Sequence, residues 1–268
     1  MSVFNRATIE QTGDYFKYEG WSEPRAEDIA TQAVALQYTT AQRIDSAIVA
    51  KRVFDILVAS LALAILSPVM LVAALAIKLD SAGSIFFMQE RIGLNRRRKD
   101  RRTSSVPTNV DPRMGADRRK NINAGRPFNI FKFRTMVLDA EKGVPTLARD
   151  NDPRITRVGR VFRKTRIDEI PQFINVIKGD MSIIGPRPER SFFINKVKCE
   201  VPEFTMRLMV KPGITGLAQV EHGYTKTIGE MRGKLFYDLK YIADLSLTQE
   251  IKILFKTVYV VVTGKGAC

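Results

Sequence analysis

Asp168 and Glu169 stand side by side in a strongly basic chain, with Arg163, Lys164 and Arg166 just ahead of them and Gly185-Pro186-Arg187-Pro188 one helix-length behind. Adjacent acids among arginines suit metal-assisted work on a multiply charged phosphate ligand. Guanidinium forks grip phosphate oxygens, and a divalent cation offsets charge that would repel an anionic attacker. The same residues also read as a plain helix start, where acids cap the first turn without doing chemistry. On that reading Asp168 is the predicted N-cap, Pro171 is tolerated in the first turn, Phe173, Ile174 and Ile177 form the buried stripe, and Gly179 ends the helix. Neighbouring helical side chains point apart, so the two acids are not expected to share one proton, and divergent roles are more natural.

Few other groups are available for catalysis. His222 is the single histidine, which removes Ser-His and Cys-His triads unless it serves, and Cys199 and Cys268 are too few for a disulfide framework or a cysteine zinc site. At 268 residues with 45% hydrophobic content the chain can bury one principal core. The net charge of +15 points to a polyanionic partner, for which nucleic acid, anionic lipid and a nucleotide substrate all qualify. That charge is uneven: residues 1–50 are acidic on balance, whereas residues 96–120 carry ten Lys or Arg against three Asp. The basic stretch has no hydrophobic periodicity and reads as a loop.

Residues 53–77 are almost wholly apolar, and as one helix they are long enough for the roughly 30 Å bilayer core. The run starts too far into the chain for a secretory signal. Arg43, Lys51 and Arg52 precede it and Lys78, Arg91 and Arg96 to Arg98 follow, so the positive-inside rule places both ends on the cytoplasmic side. Ser67-Pro68 near the middle favours a break, because proline removes a backbone donor and clashes with the preceding turn. Length, break and charge together predict a re-entrant helical hairpin over residues 51–80; a Pro-kinked single span is the competing reading. Asp55 is expected near the interface, paired with Lys51 or Arg52.

Further along, Ile130, Lys132 and Arg134 alternate with Phe131 and Phe133, the pattern of a strand with one basic face that meets either phosphates or water. Residues 152–169 intersperse arginines with Ile155, Val158, Val161 and Phe162 at helical spacing, a cationic amphipathic element for an anionic membrane surface or a nucleotide. Lys211-Pro212-Gly213-Ile214-Thr215-Gly216 reads as a turn-rich loop, and residues 250–266 as a helix on the membrane or the core. The predicted fold class is α+β: a small mixed helix/strand cytoplasmic core with an N-terminal re-entrant membrane hairpin and interfacial amphipathic helices. Its parts are a polar extension (1–50), the membrane helix (51–80) and a catalytic domain (81–268) carrying the basic loop 96–124.

KRVFD, the Ser67-Pro68 pair, QERIG, FKFRTM, DPRITRVGR, RKTRIDEIPQFINVIKGDMSIIGPRPE, KPGITGLAQV and YDLKYI together resemble the bacterial sugar transferases known as monotopic polyprenyl-phosphate phosphoglycosyl transferases. The resemblance covers roughly residues 51–262. It implies transfer of a phosphosugar from a UDP-sugar to undecaprenyl phosphate at the cytoplasmic face of the bacterial inner membrane. UMP is released and a surface glycan or glycoprotein pathway begins. By position Asp168 matches the family's nucleophile, which forms a covalent phosphosugar enzyme. Glu169 matches its partner acid, linked to bound Mg²⁺ (with Asp168 as the other metal-site carboxylate) and to activation of the lipid phosphate. Arg163 and Arg187 match phosphate-binding arginines, with Arg134 and Arg207 as weaker candidates. Anionic lipid is the implied membrane partner, no nucleic-acid partner is expected, and a homodimer is left open. Two departures stand out: residues 96–124 look like an insertion, and Glu221-His222-Gly223-Tyr224-Thr225 replaces the N-G-Y-R-G pattern of many glucose or galactose transferases. The competing class, a membrane-tethered nucleic-acid-binding protein, accounts for the charge but for neither the acid pair nor the apolar run.

Overall fold

In the computed structural model, which describes residues 26–95, 125–138, 140, 152–222 and 228–263, the apolar run lies in one long helix, α1 (Ala26–Asp80). The helix begins well before residue 51, since residues 26–50 are rich in good helix formers and place Glu27 and Asp28 in the first turn, where the helix dipole favours acids. Residues 1–25 and the basic loop 96–124 lie outside the described residues. The stretch Val49–Asp80 is long and apolar enough to cross a membrane.

Pro68 sits inside α1 without ending it. A proline at this position leaves the carbonyl of Ala64 without its helical donor, and the Ser67 hydroxyl supplies one at 2.8 Å. The expected break is therefore a serine-compensated proline within an assigned helix. On either side of it α1 is anchored: Asp55 and Ala59 are buried in one arm, Ala73 and Ile77 in the other, while Leu61, Ile65, Leu71 and Val72 between them are each more than half exposed.

Strands β1 (Phe86–Ile92) and β2 (Pro127–Phe133) pair antiparallel from Phe86 opposite Phe133 to Ile92 opposite Pro127, so the basic loop connects the two strands of one hairpin. Both faces of β2 are covered: Ile130 is buried in the main core and Phe133 in a smaller core with Ala73, Ile77 and Phe162. The predicted basic face is thus not a solvent face. Lys132 turns toward the acid pair, and Arg134, just past the strand end, donates to the carbonyls of Ser81 (2.7 Å) and Ala82 (2.8 Å), fastening the chain after α1.

Helix α2 (Arg157–Thr165) starts at Thr156, whose hydroxyl accepts from the Gly159 amide at 3.0 Å, and Asp80 at the end of α1 accepts from the Val158 amide at 3.2 Å. Phe162 is buried and Val161 is exposed. A 3₁₀ turn (Ile167–Glu169) and helix α3 (Gln172–Lys178) follow. The buried side chains of α3 are Gln172, Asn175 and Val176, not the expected Phe173, Ile174 and Ile177; Ile177 is exposed. The cause is polar docking: the Asn175 amide clips β2, accepting from the Phe131 amide (2.9 Å) and donating to the Asn129 carbonyl (2.7 Å), which turns that face inward.

Strand β3 (Ser182–Ile184) pairs in parallel with β4 (Gly213–Thr215), so the expected turn-rich loop at 211–216 contains a short strand. The backbones meet so closely that a Cβ on Gly213 would lie 2.1 Å from the Gly185 nitrogen. Helices α4 (Ser191–Lys198), α5 (Leu217–Glu221), α6 (Ile228–Ala243) and α7 (Leu247–Thr263), with a 3₁₀ segment (Pro202–Met209), complete the body. Leu235, Leu239 and Tyr241 of α6 and Ile253 of α7 enter the main core, so α7 packs on the protein through one side while Phe255, Val258 and Val262 remain exposed.

Candidate active site

The chain changes direction sharply just before the acid pair. Arg166 adopts φ 60°, the one positive φ on a non-glycine residue among those described, ending α2 and starting the 3₁₀ turn that carries Asp168 and Glu169. Such a left-handed residue costs on the order of 1 kcal/mol or more, and strain of this kind clusters at functional sites. The acids therefore do not cap α3, whose N-cap position is Pro171. They lie one turn earlier, and both are more than nine-tenths buried.

Their surroundings differ. Arg187 reaches Glu169 with both terminal nitrogens, Nη2 to Oε1 at 2.5 Å and Nη1 to Oε2 at 3.5 Å, and Lys132 Nζ donates to the same Oε1 at 3.1 Å. Asp168 accepts no hydrogen bond among the described residues; its ion-pair partner is Lys132, 4.0 Å from Oδ2. Burial alone would push Glu169 up, but the charges of Arg187 and Lys132 and the Arg187 hydrogen bond outweigh it and hold Glu169 well below the ordinary carboxylate range. Burial pushes Asp168 the other way; Lys132, Arg187 and Arg163 oppose the rise, and the Glu169 charge adds to it. Desolvation also lowers Lys132, against the pull of Glu169 and Asp168. One acid is a fixed counter-ion and its neighbour is a desolvated carboxylate with open oxygens.

Arg187 is held from behind. The chain at 186–189 is fixed by Arg91 donating to the Pro188 carbonyl (3.1 Å), by Arg207 donating to the Arg187 carbonyl (3.0 Å) and by pairing of Ile92 with Glu189. Arg207 is itself buried against Asp238 at 2.8 Å, and Lys234 meets Glu189 at 2.5 Å. Burial would raise Glu189, yet Lys234, Arg207 and Arg91 bring it down to about 2.

Of the sequence-derived candidates, the structure brings together Asp168, Glu169 and Arg187, with Arg163 near enough to act on the Asp168 charge. It does not bring Arg134, committed to Ser81 and Ala82, or Arg207, committed to Asp238 and to the backbone beneath Arg187. The ionic support formed by Glu189, Lys234 and Asp238 escaped sequence reasoning, because Lys234 and Asp238 lie some fifty residues downstream on α6 and no local pattern links them to Glu189. Lys132 was visible only as one member of a basic strand. His222 contacts the Glu230 carbonyl at 3.0 Å, and its ring centroid lies 6.1 Å from that of Tyr237.

Two acids in opposite electrostatic states, among Lys132, Arg163 and Arg187, can accept a phosphoryl group on one carboxylate while the cations hold its oxygens. The bacterial sugar transferase family model matches residues 46–100 and 109–264, which include the membrane stretch of α1, the acid pair and the Arg187 loop. The chain belongs to the bacterial sugar transferase family. Among similar sugar transferases, the UDP-N-acetylgalactosamine-undecaprenyl-phosphate N-acetylgalactosaminephosphotransferase of Aeromonas hydrophila is 42% identical over 217 residues, covering 81% of this chain and 44% of the relative. The UDP-glucose:undecaprenyl-phosphate glucose-1-phosphate transferase of Escherichia coli K12 is 37% identical, covering 81% of this chain and 41% of that protein. An exopolysaccharide production protein of Rhizobium leguminosarum is 36% identical over 227 residues, 98% of its length. The chain thus spans less than half of the first two proteins and nearly all of the third.

Proposed function

We propose that this bacterial sugar transferase moves a phosphosugar from a UDP-sugar to undecaprenyl phosphate at the cytoplasmic face of the bacterial inner membrane, releasing UMP and starting surface-glycan assembly. The reading rests on one observation above the others: Asp168 is desolvated and unclamped, next to a Glu169 whose charge is fully engaged. In the first half-reaction an Asp168 carboxylate oxygen bonds to the sugar-bearing phosphorus, and the bond from that phosphorus to the oxygen it shares with UMP breaks. UMP leaves with the electron pair. In the second, a phosphate oxygen of undecaprenyl phosphate attacks the same phosphorus and the Asp168 carboxylate departs intact. Lys132, Arg163 and Arg187 hold phosphoryl oxygens and screen the approach of one anion to another.

This assignment gives Glu169 a part beside the one the resemblance implies: with Arg187 at 2.5 Å and Lys132 at 3.1 Å, it orients both cations. Mg²⁺ fits as a shared ligand of protein and substrate: the ion characteristically uses one or two carboxylates plus phosphate oxygens, and no group of three or more metal-ligating side chains exists among the described residues. Asp168, through its open oxygens, would hold it, and when bound it would neutralise diphosphate charge.

A re-entrant course for α1 fits the same reading. The arm before Pro68 is gripped by α3 and β3 through Arg52 and Asp55, and the arm after it by α2 through Asp80 and by the chain beyond β2 through Arg134, so both ends engage one body. Cysteines placed at positions 49 and 84, in a background lacking Cys199 and Cys268, are expected to resist a membrane-impermeant thiol reagent added to intact cells. Labelling of one and not the other identifies a span.

The transfer itself is tested by UMP release from UDP-N-acetylgalactosamine, UDP-glucose and other UDP-sugars in the presence of undecaprenyl phosphate. Release from at least one donor, dependent on Asp168, is expected. A protein that releases no UMP from any donor but binds duplex DNA with a steep salt dependence belongs to the competing class.

A further inference from the structure

Three charged residues at the start of the membrane stretch make protein contacts that lipid anchoring does not require. Arg52 donates to the carbonyls of Val176 (2.6 Å) and Ile177 (2.9 Å), capping the C-terminal end of α3, where helix carbonyls lack partners and the dipole favours a cation. Asp55, 1% exposed, accepts from the Ser182 hydroxyl (2.9 Å) and from the Ile183 amide (3.0 Å) of β3. Lys51 donates to the Ile184 carbonyl (3.0 Å) and pairs with Glu250 of α7 at 2.5 Å. Tyr241 joins the same knot, its hydroxyl 3.0 Å from the Ile184 carbonyl and 2.5 Å from Glu250. The expected pairing of Asp55 with Lys51 or Arg52 is absent from these contacts.

Two of the elements gripped adjoin the catalytic clamp. Helix α3 begins three residues after Glu169, and β3 ends three residues before Arg187. The Glu169–Arg187 contact at 2.5 Å depends on how these two segments lie relative to each other, and the first turns of the membrane stretch bridge them. We infer that Lys51, Arg52 and Asp55 are positioning residues for the transferase reaction: they set the register of the Arg187 loop against the acid pair, so the membrane helix is part of the active-site framework as well as an anchor. This inference rests on the transfer reading above for its kinetic consequence, and on geometry alone for its structural one.

The test compares full-length protein in lipid nanodiscs with Arg52→Met, Asp55→Ala and Asp55→Asn, the last keeping a side-chain oxygen that can accept from Ser182 and Ile183. Two readouts are taken. Amide hydrogen exchange is expected to quicken in Asp55→Ala around residues 182–187 and in Arg52→Met around residues 176–181, with α6 unchanged. With a UDP-sugar of the panel that the wild type turns over, kcat is expected to fall about tenfold or more in Arg52→Met and Asp55→Ala, with the KM for the donor moving less than about threefold, since small misplacements of catalytic groups act on the chemical step. Asp55→Asn is expected to recover most of the loss, and all variants to remain in the membrane fraction. Unchanged exchange in these segments overturns the inference. So does a kcat loss that merely follows loss of protein from the membrane, or equal loss in Asp55→Asn and Asp55→Ala. A wild type that releases no UMP from any UDP-sugar of the panel defeats the functional reading instead, and the exchange result then decides the coupling by itself.

Discussion

Asp168→Asn is expected to lower UMP release by about four orders of magnitude or more while leaving the protein folded, because an amide cannot replace a carboxylate as nucleophile. The combination of the two outcomes is the informative part. Asp168 accepts no hydrogen bond among the described residues, and burial disfavours its charged form, so removing that charge takes no clip from the fold. The expected melting temperature is equal to or slightly above that of the wild type. UMP release measured beside thermal unfolding checks both halves. An enzyme with near-normal turnover refutes the assignment of Asp168, whereas an unfolded variant shows that the residue is structural.

Glu169→Gln is expected to behave in the opposite way, damaging stability and rate together. The substitution removes the carboxylate that both Arg187 and Lys132 contact and leaves two partly buried cations facing a neutral amide. Because both cations keep part of their surface in water, the cost is expected to fall below the roughly 3–5 kcal/mol of breaking a fully buried pair from one side. Turnover is expected to fall about a hundredfold or more, since Arg187 loses the anion that fixes its fork and Lys132 drifts toward Asp168. Arg187→Lys is not expected to imitate the wild type, because a single ammonium cannot reproduce the two-point contact with Glu169. Thermal unfolding and steady-state kinetics of the Glu169→Gln enzyme check the point, and wild-type stability with wild-type rate contradicts the clamp.

What the sequence disclosed follows the range of each interaction. The acid pair, Arg187 and the apolar run are local patterns, legible because their chemistry is packed into short stretches. The serine that serves Pro68 is equally local, one residue away, and supplies the donor that lets α1 continue past the proline. Arg134 and Arg207 share a feature: an arginine near a phosphate-binding pattern looks the same in sequence whether it faces substrate or holds a backbone carbonyl. Only the fold shows that Arg134 fastens Ser81 and Ala82 and that Arg207 lies under the Arg187 loop. The buried face of α3 runs against its hydrophobic periodicity because Gln172 and Asn175 take inward positions through polar docking, which periodicity scores the wrong way. Contacts such as Asp55 with Ser182, across 127 positions, leave no trace in one sequence.

Covalent capture tests the account at its centre. Wild-type protein mixed with the UDP-sugar it turns over, and with no undecaprenyl phosphate, is expected to release a burst of UMP approaching one equivalent per enzyme. Peptide mass spectrometry of the quenched protein is expected to find the phosphosugar on Asp168 and to lose it when undecaprenyl phosphate is added before the quench. UMP that appears only after the lipid is supplied, or a phosphosugar carried on any other residue, contradicts the assignment of Asp168 as the nucleophile.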